Sequence, residues 1–252
     1  MSQPESTSTG RRGLAVDGVS ARYGNLTACR PVSLRVEPGE LVALIGPNGA
    51  GKTSLIGALN GTVAGTGEIT LDGRRIDGLA AWRRVGIGLT TVPDNRGLFP
   101  SLTVADNLRL GALLSDRAKR EKALDDAIAL FPFLRTRWGD AAGALSGGQQ
   151  QMLAIAKCMA CSPRVLLLDE PTQGLAPIVV DELAEVLRNL RARGLPILLV
   201  EQSQYLVEAV ADRFAVLVGG QIVHSGPRAA LADREYIAGL YLQRKQAAVL
   251  SH

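Results

Sequence analysis

Histidine is nearly missing from this chain of 252 residues: His224 and His252 are its only two, too few for a histidine-based metal site. Cysteine is almost as scarce. Cys29, Cys158 and Cys161 make an odd number, which supplies no disulfide framework and fits a reducing compartment. Cys158-Met-Ala-Cys161 has the spacing of a redox or metal half-site, but it falls in an expected helix from about 147 to 160, and no second pair completes a zinc shell. Packing is the expected role there, as it is for His224 in an expected strand. Aromatic residues make up only 4%, too few for a base-stacking surface of the kind that binds single strands. Charge is not concentrated either. The 28 Lys plus Arg against 24 Asp plus Glu leave +4, and the basic residues come in scattered pairs such as Arg11-Arg12, Arg74-Arg75 and Arg83-Arg84, so no nucleic-acid partner is expected.

Long apolar runs are also lacking. None approaches the ~18 residues of a membrane span, and the longest, such as Val165 to Leu168 and Ile197 to Val200, are strand-sized. The polar opening has neither the basic start nor the apolar segment of a secretory signal, so a cytosolic chain is expected, with residues 1–12 as a flexible tail.

What is present is a soluble globular composition, 46% hydrophobic and 21% charged, enough for one large domain or a core domain with a subdomain. The runs Leu41 to Ile45, Val165 to Leu168, Ile197 to Val200 and Phe214 to Val218 are unbroken by polar alternation, as buried strands of an α/β sheet are. A helix is expected from Pro177, with Val179, Val180, Leu183, Val186, Leu187 and Leu190 on one face, ending before Gly194 and Pro196. From about Thr103 to Trp138 helical patterns follow one another without a strand, a helical insertion. Leu14 to Val19 and Val32 to Val36 are shorter strands expected to form an antiparallel flank.

Gly46-Pro-Asn-Gly-Ala-Gly-Lys52-Thr53 fits G-x-x-x-x-G-K-[ST] between an expected strand and an expected helix, Thr53 to Leu59. Such a loop turns successive backbone N–H groups and a helix N-terminus toward phosphates, with Lys52 as a point charge and the Thr53 hydroxyl for Mg²⁺. Gly46, Pro47, Asn48, Gly49, Ala50, Gly51, Lys52, Thr53 and Ser54 are therefore the expected ATP-binding set. The strand Val165 to Leu168 runs into Asp169-Glu170, where ligands of α/β sheets bind. Asp169 is placed to hold Mg²⁺ and Glu170 to polarise an attacking water; two solvated acids at a strand end is the plain alternative.

Leu145-Ser146-Gly147-Gly148-Gln149 lies upstream of that acidic strand end. With it, the chain resembles the nucleotide-binding subunit of an ATP-binding cassette (ABC) transporter, over about Leu14 to Gly226. The resemblance implies a P-loop NTPase core of α/β class with a mostly parallel sheet, an N-terminal antiparallel β flank and a helical subdomain inserted at about 96–160, the cassette spanning 13–252. It also implies that Ser146, Gly147, Gly148 and Gln149 face the ATP of a second cassette in a head-to-tail dimer, homo- or heterodimeric. Tyr23 matches the aromatic that stacks on adenine in similar proteins. Three positions depart from the family pattern. Gln202 stands where most members have a switch histidine, and its amide donates but does not titrate. Asp94 replaces a Gln that contacts Mg²⁺. Ala176 replaces an Asp that communicates across the dimer.

The segments Val92 to Val104, Gln149 to Ile155, Gly174 to Pro177 and Val200 to Gln202 resemble one subgroup, the smaller cassette subunit of branched-chain amino-acid importers. Systems for urea, short amides or aromatic acids are similar enough to compete. That resemblance implies an ATPase motor on the cytoplasmic face of the membrane, attached through two permease subunits and served by a solute-binding protein outside. Cassette proteins of translation carry two cassettes in one chain and those of DNA repair carry long coiled coils; this sequence has neither, and it lacks the Asn-Lys-x-Asp segment of a GTP switch.

Overall fold

Strands buried on both faces need apolar side chains at every position, and the unbroken runs of this sequence form the centre of the protein in that way. The structure, a computed structural model, describes residues 12–240 apart from 116, 234, 236 and 238; residues 1–11 of the expected tail lie outside the described residues. In chain order the elements are β1 (Leu14–Tyr23), β2 (Leu26–Val36), β3 (Leu41–Ile45), α1 (Lys52–Asn60), β4 (Glu68–Leu71), β5 (Arg74–Arg75), α2 (Ala81–Gly86), β6 (Leu89–Val92) and α3 (Val104–Ala112). They continue with α4 (Arg120–Leu130), α5 (Phe133–Thr136), α6 (Gly147–Ala160), β7 (Val165–Asp169), α7 (Pro177–Ala192), β8 (Ile197–Glu201), α8 (Gln204–Val210), β9 (Arg213–Val218) and β10 (Gln221–Pro227).

Two sheets result, a six-stranded one in the order β10-β9-β3-β8-β7-β6 and a four-stranded one in the order β2-β1-β4-β5. The larger sheet is parallel from β9 to β6, with β10 antiparallel at its edge, and the smaller is antiparallel throughout. Alternation sorts the side chains of the central strands. Leu41, Ala43, Ile45, Leu166, Leu168, Ile197 and Leu199 pack on one face with α6, α7 and α8, while Val42, Leu44, Val165, Leu167, Leu198 and Val200 pack on the other with α1 and the smaller sheet. The protein is thus layered, with the parallel sheet between a helical layer and a β layer.

The antiparallel flank is larger than the sequence suggests, because β4 and β5 extend it. Between β6 and β7 the described residues form helices, turns and a single isolated bridge of Thr103 with Ala141, with no strand. There Ala112 of α3, Ala127 of α4 and Ala160 of α6 meet in a small cluster, where short side chains let three helices approach. Asn107, fully buried on α3, accepts from Phe99 N–H at 2.9 Å and donates to the carbonyls of Phe99 and Thr103, so the segment leaving β6 is fastened to these helices. Among the described residues no helix is long and apolar enough to cross a membrane.

Candidate nucleotide site

Register brings three strand ends to one edge. Ile45 pairs with Glu201 and Asp169 with Val200, so the residues that follow β3, β7 and β8, namely Gly46, Glu170 and Gln202, emerge side by side at the carboxyl edge of the parallel sheet.

The loop after β3 is shaped by glycine at two places. A Cβ on Gly46 would run into the Leu217 carbonyl oxygen of β9, so the loop presses directly on the neighbouring strand. Gly51 has φ +100° and a Cβ there would meet the carbonyl oxygen of Ala28, just past the β1–β2 turn that carries Tyr23. That turn therefore lies against the loop, and Tyr23 is half exposed at 52%. Gly51 is also the N-cap of α1 and has no side chain to cap it, so the first-turn N–H groups of α1 are left for a ligand.

Lys52 is only 4% exposed and folds back over the loop, donating to the carbonyls of Gly46 at 2.9 Å and Pro47 at 3.2 Å. It also pairs with Glu170 at 3.2 Å. Glu170 is itself unusual, a non-glycine residue at φ +47°. Its two carboxylate oxygens each accept from Gln202 Nε2 at 2.9 Å, and that amide also donates to Asn48 Oδ1. Asn48, Lys52, Glu170 and Gln202 thus form one polar group. Thr53 donates to Asp169 Oδ1 at 3.3 Å. Burial, with the nearby Asp94 and Glu170 carboxylates adding to it, pushes Asp169 up to about 6 against the pull of Thr53 and Lys52. Asp94, exposed in the segment after β6, therefore belongs to the same electrostatic neighbourhood. Thr53, Asp169 and Asp94 offer only oxygen donors, which suits a hard cation such as Mg²⁺.

Ser146 to Gln149 stand apart from this group. Ser146 caps α6, accepting from Gln149 N–H at 3.3 Å while Gln149 Oε1 accepts from Ser146 N–H at 3.1 Å. Beside it, Arg96 donates to Gln150 Oε1 at 2.7 Å. Among the described residues no hydrogen bond or ion pair joins Ser146–Gln149 to residues 46–54. Ala176 is the N-cap of α7 and, having no polar side chain, makes no cap bond. Burial pushes the Cys158 thiol up to about 12 and the Cys161 thiol to about 11, far from a reactive thiolate.

One residue was not singled out in the sequence. Glu201, the last residue of β8, is 2% exposed, and its oxygens accept four hydrogen bonds from the turns on either side. An acid ending an apolar strand was the available signal, the same one that marks Asp169.

A family model described as ABC transporter matches residues 29–173. The chain is 40% identical over 230 residues to the high-affinity branched-chain amino acid transport ATP-binding protein BraG of Pseudomonas aeruginosa, covering 91% of this chain and 99% of that one. It is 32% identical to a probable branched-chain amino acid transport ATP-binding protein, LivF, of Archaeoglobus fulgidus, covering 86% and 93%. A solved structure of an ATP-binding subunit of an ABC transporter superposes with a TM-score of 0.76 at 27% identity, covering 94% and 99%. On motif, fold and kinship together, the chain belongs to the ABC transporter family, as one of its ATP-hydrolysing, nucleotide-binding cassettes.

Proposed function

We propose that this cassette is the motor of an importer of branched-chain amino acids. The observation that carries this reading is the 40% identity to BraG over almost the whole of both chains. In this reading the N–H groups of the Gly46–Ser54 loop and Lys52 bind the phosphates of ATP, and the exposed Tyr23 ring takes the adenine. Thr53, Asp169 and Asp94 hold Mg²⁺, which when bound would offset phosphate charge. Glu170 orients and polarises the attacking water, and Gln202 positions it with one N–H while the N–H now on Asn48 turns to the terminal phosphate. Ser146, Gly147, Gly148 and Gln149 contact the nucleotide of a second cassette, in keeping with the lack of any hydrogen bond between them and this chain's own loop among the described residues. Two permease subunits attach the pair to the cytoplasmic face of the membrane, and an external solute-binding protein selects the cargo.

The test is reconstitution with the permeases and solute-binding protein in proteoliposomes, with ATPase activity and uptake measured for leucine, isoleucine and valine. Stimulation by these amino acids is expected, and the Glu170→Gln complex should bind ATP yet turn over at least about a hundredfold more slowly. Stimulation by urea, short amides or aromatic acids instead would overturn the cargo assignment, and undiminished turnover in Glu170→Gln would overturn the role of Glu170.

A further inference from the structure

We infer that Glu201 is a positioning residue for hydrolysis: its buried carboxylate braces the turn that carries Glu170 against the turn that carries Gln202. This rests on the roles proposed above for those two residues. Glu201 Oε1 accepts from Thr172 N–H at 2.9 Å and from the Thr172 hydroxyl at 2.6 Å, on the β7 side. Its other oxygen, Oε2, accepts from Gln202 N–H at 2.9 Å and Ser203 N–H at 3.0 Å, on the β8 side. Each oxygen therefore serves one turn, and the planar carboxylate sets the distance between them.

Thr172 is separated from Glu170 only by Pro171, whose fixed φ passes the anchorage on with little slack. Glu170 sits at φ +47°, a conformation that persists only where the surroundings hold it, and its N–H donates to Val200 O at 2.9 Å. The brace and this bond fix the Glu170 backbone to the end of β8 from both sides. Gln202 Nε2 then meets both Glu170 oxygens at 2.9 Å because its own N–H is held by the same carboxylate. Four donors and no obligate acceptor surround the Glu201 oxygens, so an amide there, in either orientation, would set its NH₂ group against at least one N–H group. The Glu201 oxygens themselves accept from no residue of the Gly46–Ser54 loop and reach it only through Glu170 and Gln202, so loss of the brace weighs on kcat more than on nucleotide binding.

The experiment compares steady-state ATPase kinetics and nucleotide titrations of the assembled transporter carrying Thr172→Val, Thr172→Ser, Glu201→Gln or Glu170→Gln. Thr172→Val, similar in shape but without the hydroxyl donor, and Glu201→Gln are expected to lower kcat by about tenfold to a hundredfold with KM for ATP within about twofold. Thr172→Ser, which keeps the donor, should recover most of the Thr172→Val loss. If Glu201→Gln fails to fold, the threonine pair decides alone. A kcat within about twofold of wild type in Thr172→Val, or a loss shared equally by nucleotide affinity and kcat, would overturn the inference while Glu170→Gln remains inactive. Full turnover in Glu170→Gln would instead overturn the assignment of the site on which it rests.

Discussion

Asp169 illustrates what function asks of a single side chain. Its carboxylate is buried beside Glu170 and Asp94 with only Thr53 and Lys52 in its favour, and it is pushed up to about 6 from an ordinary value near 4. A folded-state value above the unfolded one means that the folded protein holds the proton longer. The contribution of Asp169 to stability is then most favourable at the acid side of about pH 4 and is lost as the pH rises through about 6, where the buried carboxylate becomes charged. Asp169→Asn keeps an acceptor for Thr53 and removes that charge. In metal-free buffer the variant is expected to exceed wild type in stability by about 1 to 2 kcal/mol at pH 7, after allowing for solvent screening, and by about half as much at pH 5. Thermal melts at the two pH values in the presence of a chelator measure it, and an equal difference at both would refute the electrostatic account. The same variant should lose ATPase activity, so the residue trades stability for chemistry.

At the scale of elements, α1 is held at both ends. Its N-terminus opens on the phosphate loop. Its C-terminus meets the guanidinium of Arg84 on α2, which donates to the carbonyls of Ala58 and Leu59 at 2.7 Å and to those of Asp77 at 2.6 Å and Leu79 at 2.9 Å. A cation there complements the negative end of the helix dipole, even though burial pulls the Arg84 pKa down. Arg84→Met would strand four carbonyls and is expected to cost about 2 to 4 kcal/mol in urea unfolding, with Arg84→Lys recovering only part because an ammonium cannot span the same fork. Elements such as β3, β7, β8 and α7 were legible from apolar runs and from Pro177, since a buried strand or an amphipathic helix writes its surroundings into its own residues. The hairpin of β4 and β5 was not, because Glu68–Leu71 is short and half exposed. Its turn was visible all the same: Asp72 and Gly73 at φ 50° and 77° form the Asp-Gly turn that favours such hairpins. Arg84 reads as an ordinary charge in the sequence and Glu201 only as an acid at a strand end, since Ala58 and Leu59 in the one case and Thr172 in the other are brought to them by the fold alone.

At the scale of the whole molecule, no hydrogen bond or ion pair among the described residues joins the phosphate loop to the α6 N-terminus, and the proposed function gives each to a different nucleotide of a cassette pair. Ser146→Arg should therefore leave the nucleotide titration of an isolated cassette within about twofold of wild type while lowering the ATPase of the assembled transporter at least about tenfold. Equal loss in both measurements would place Ser146 in its own chain's site instead.

The placing of β3 between β8 and β9 bears on how the protein is made. The phosphate loop follows β3 early in the chain, but the Leu217 carbonyl against Gly46 and the Gly220 N–H that donates to Ala50 O at 2.9 Å arrive only with β9 and the turn after it. During synthesis, β3 leaves the ribosome with neither sheet neighbour available and must wait for both, the slow kind of pairing that joins distant parts of a chain. The motif easiest to recognise in the sequence thus completes its native contacts only once the final parallel strand has been translated, and stabilisation of a nascent chain by cellular ATP is expected only from that point.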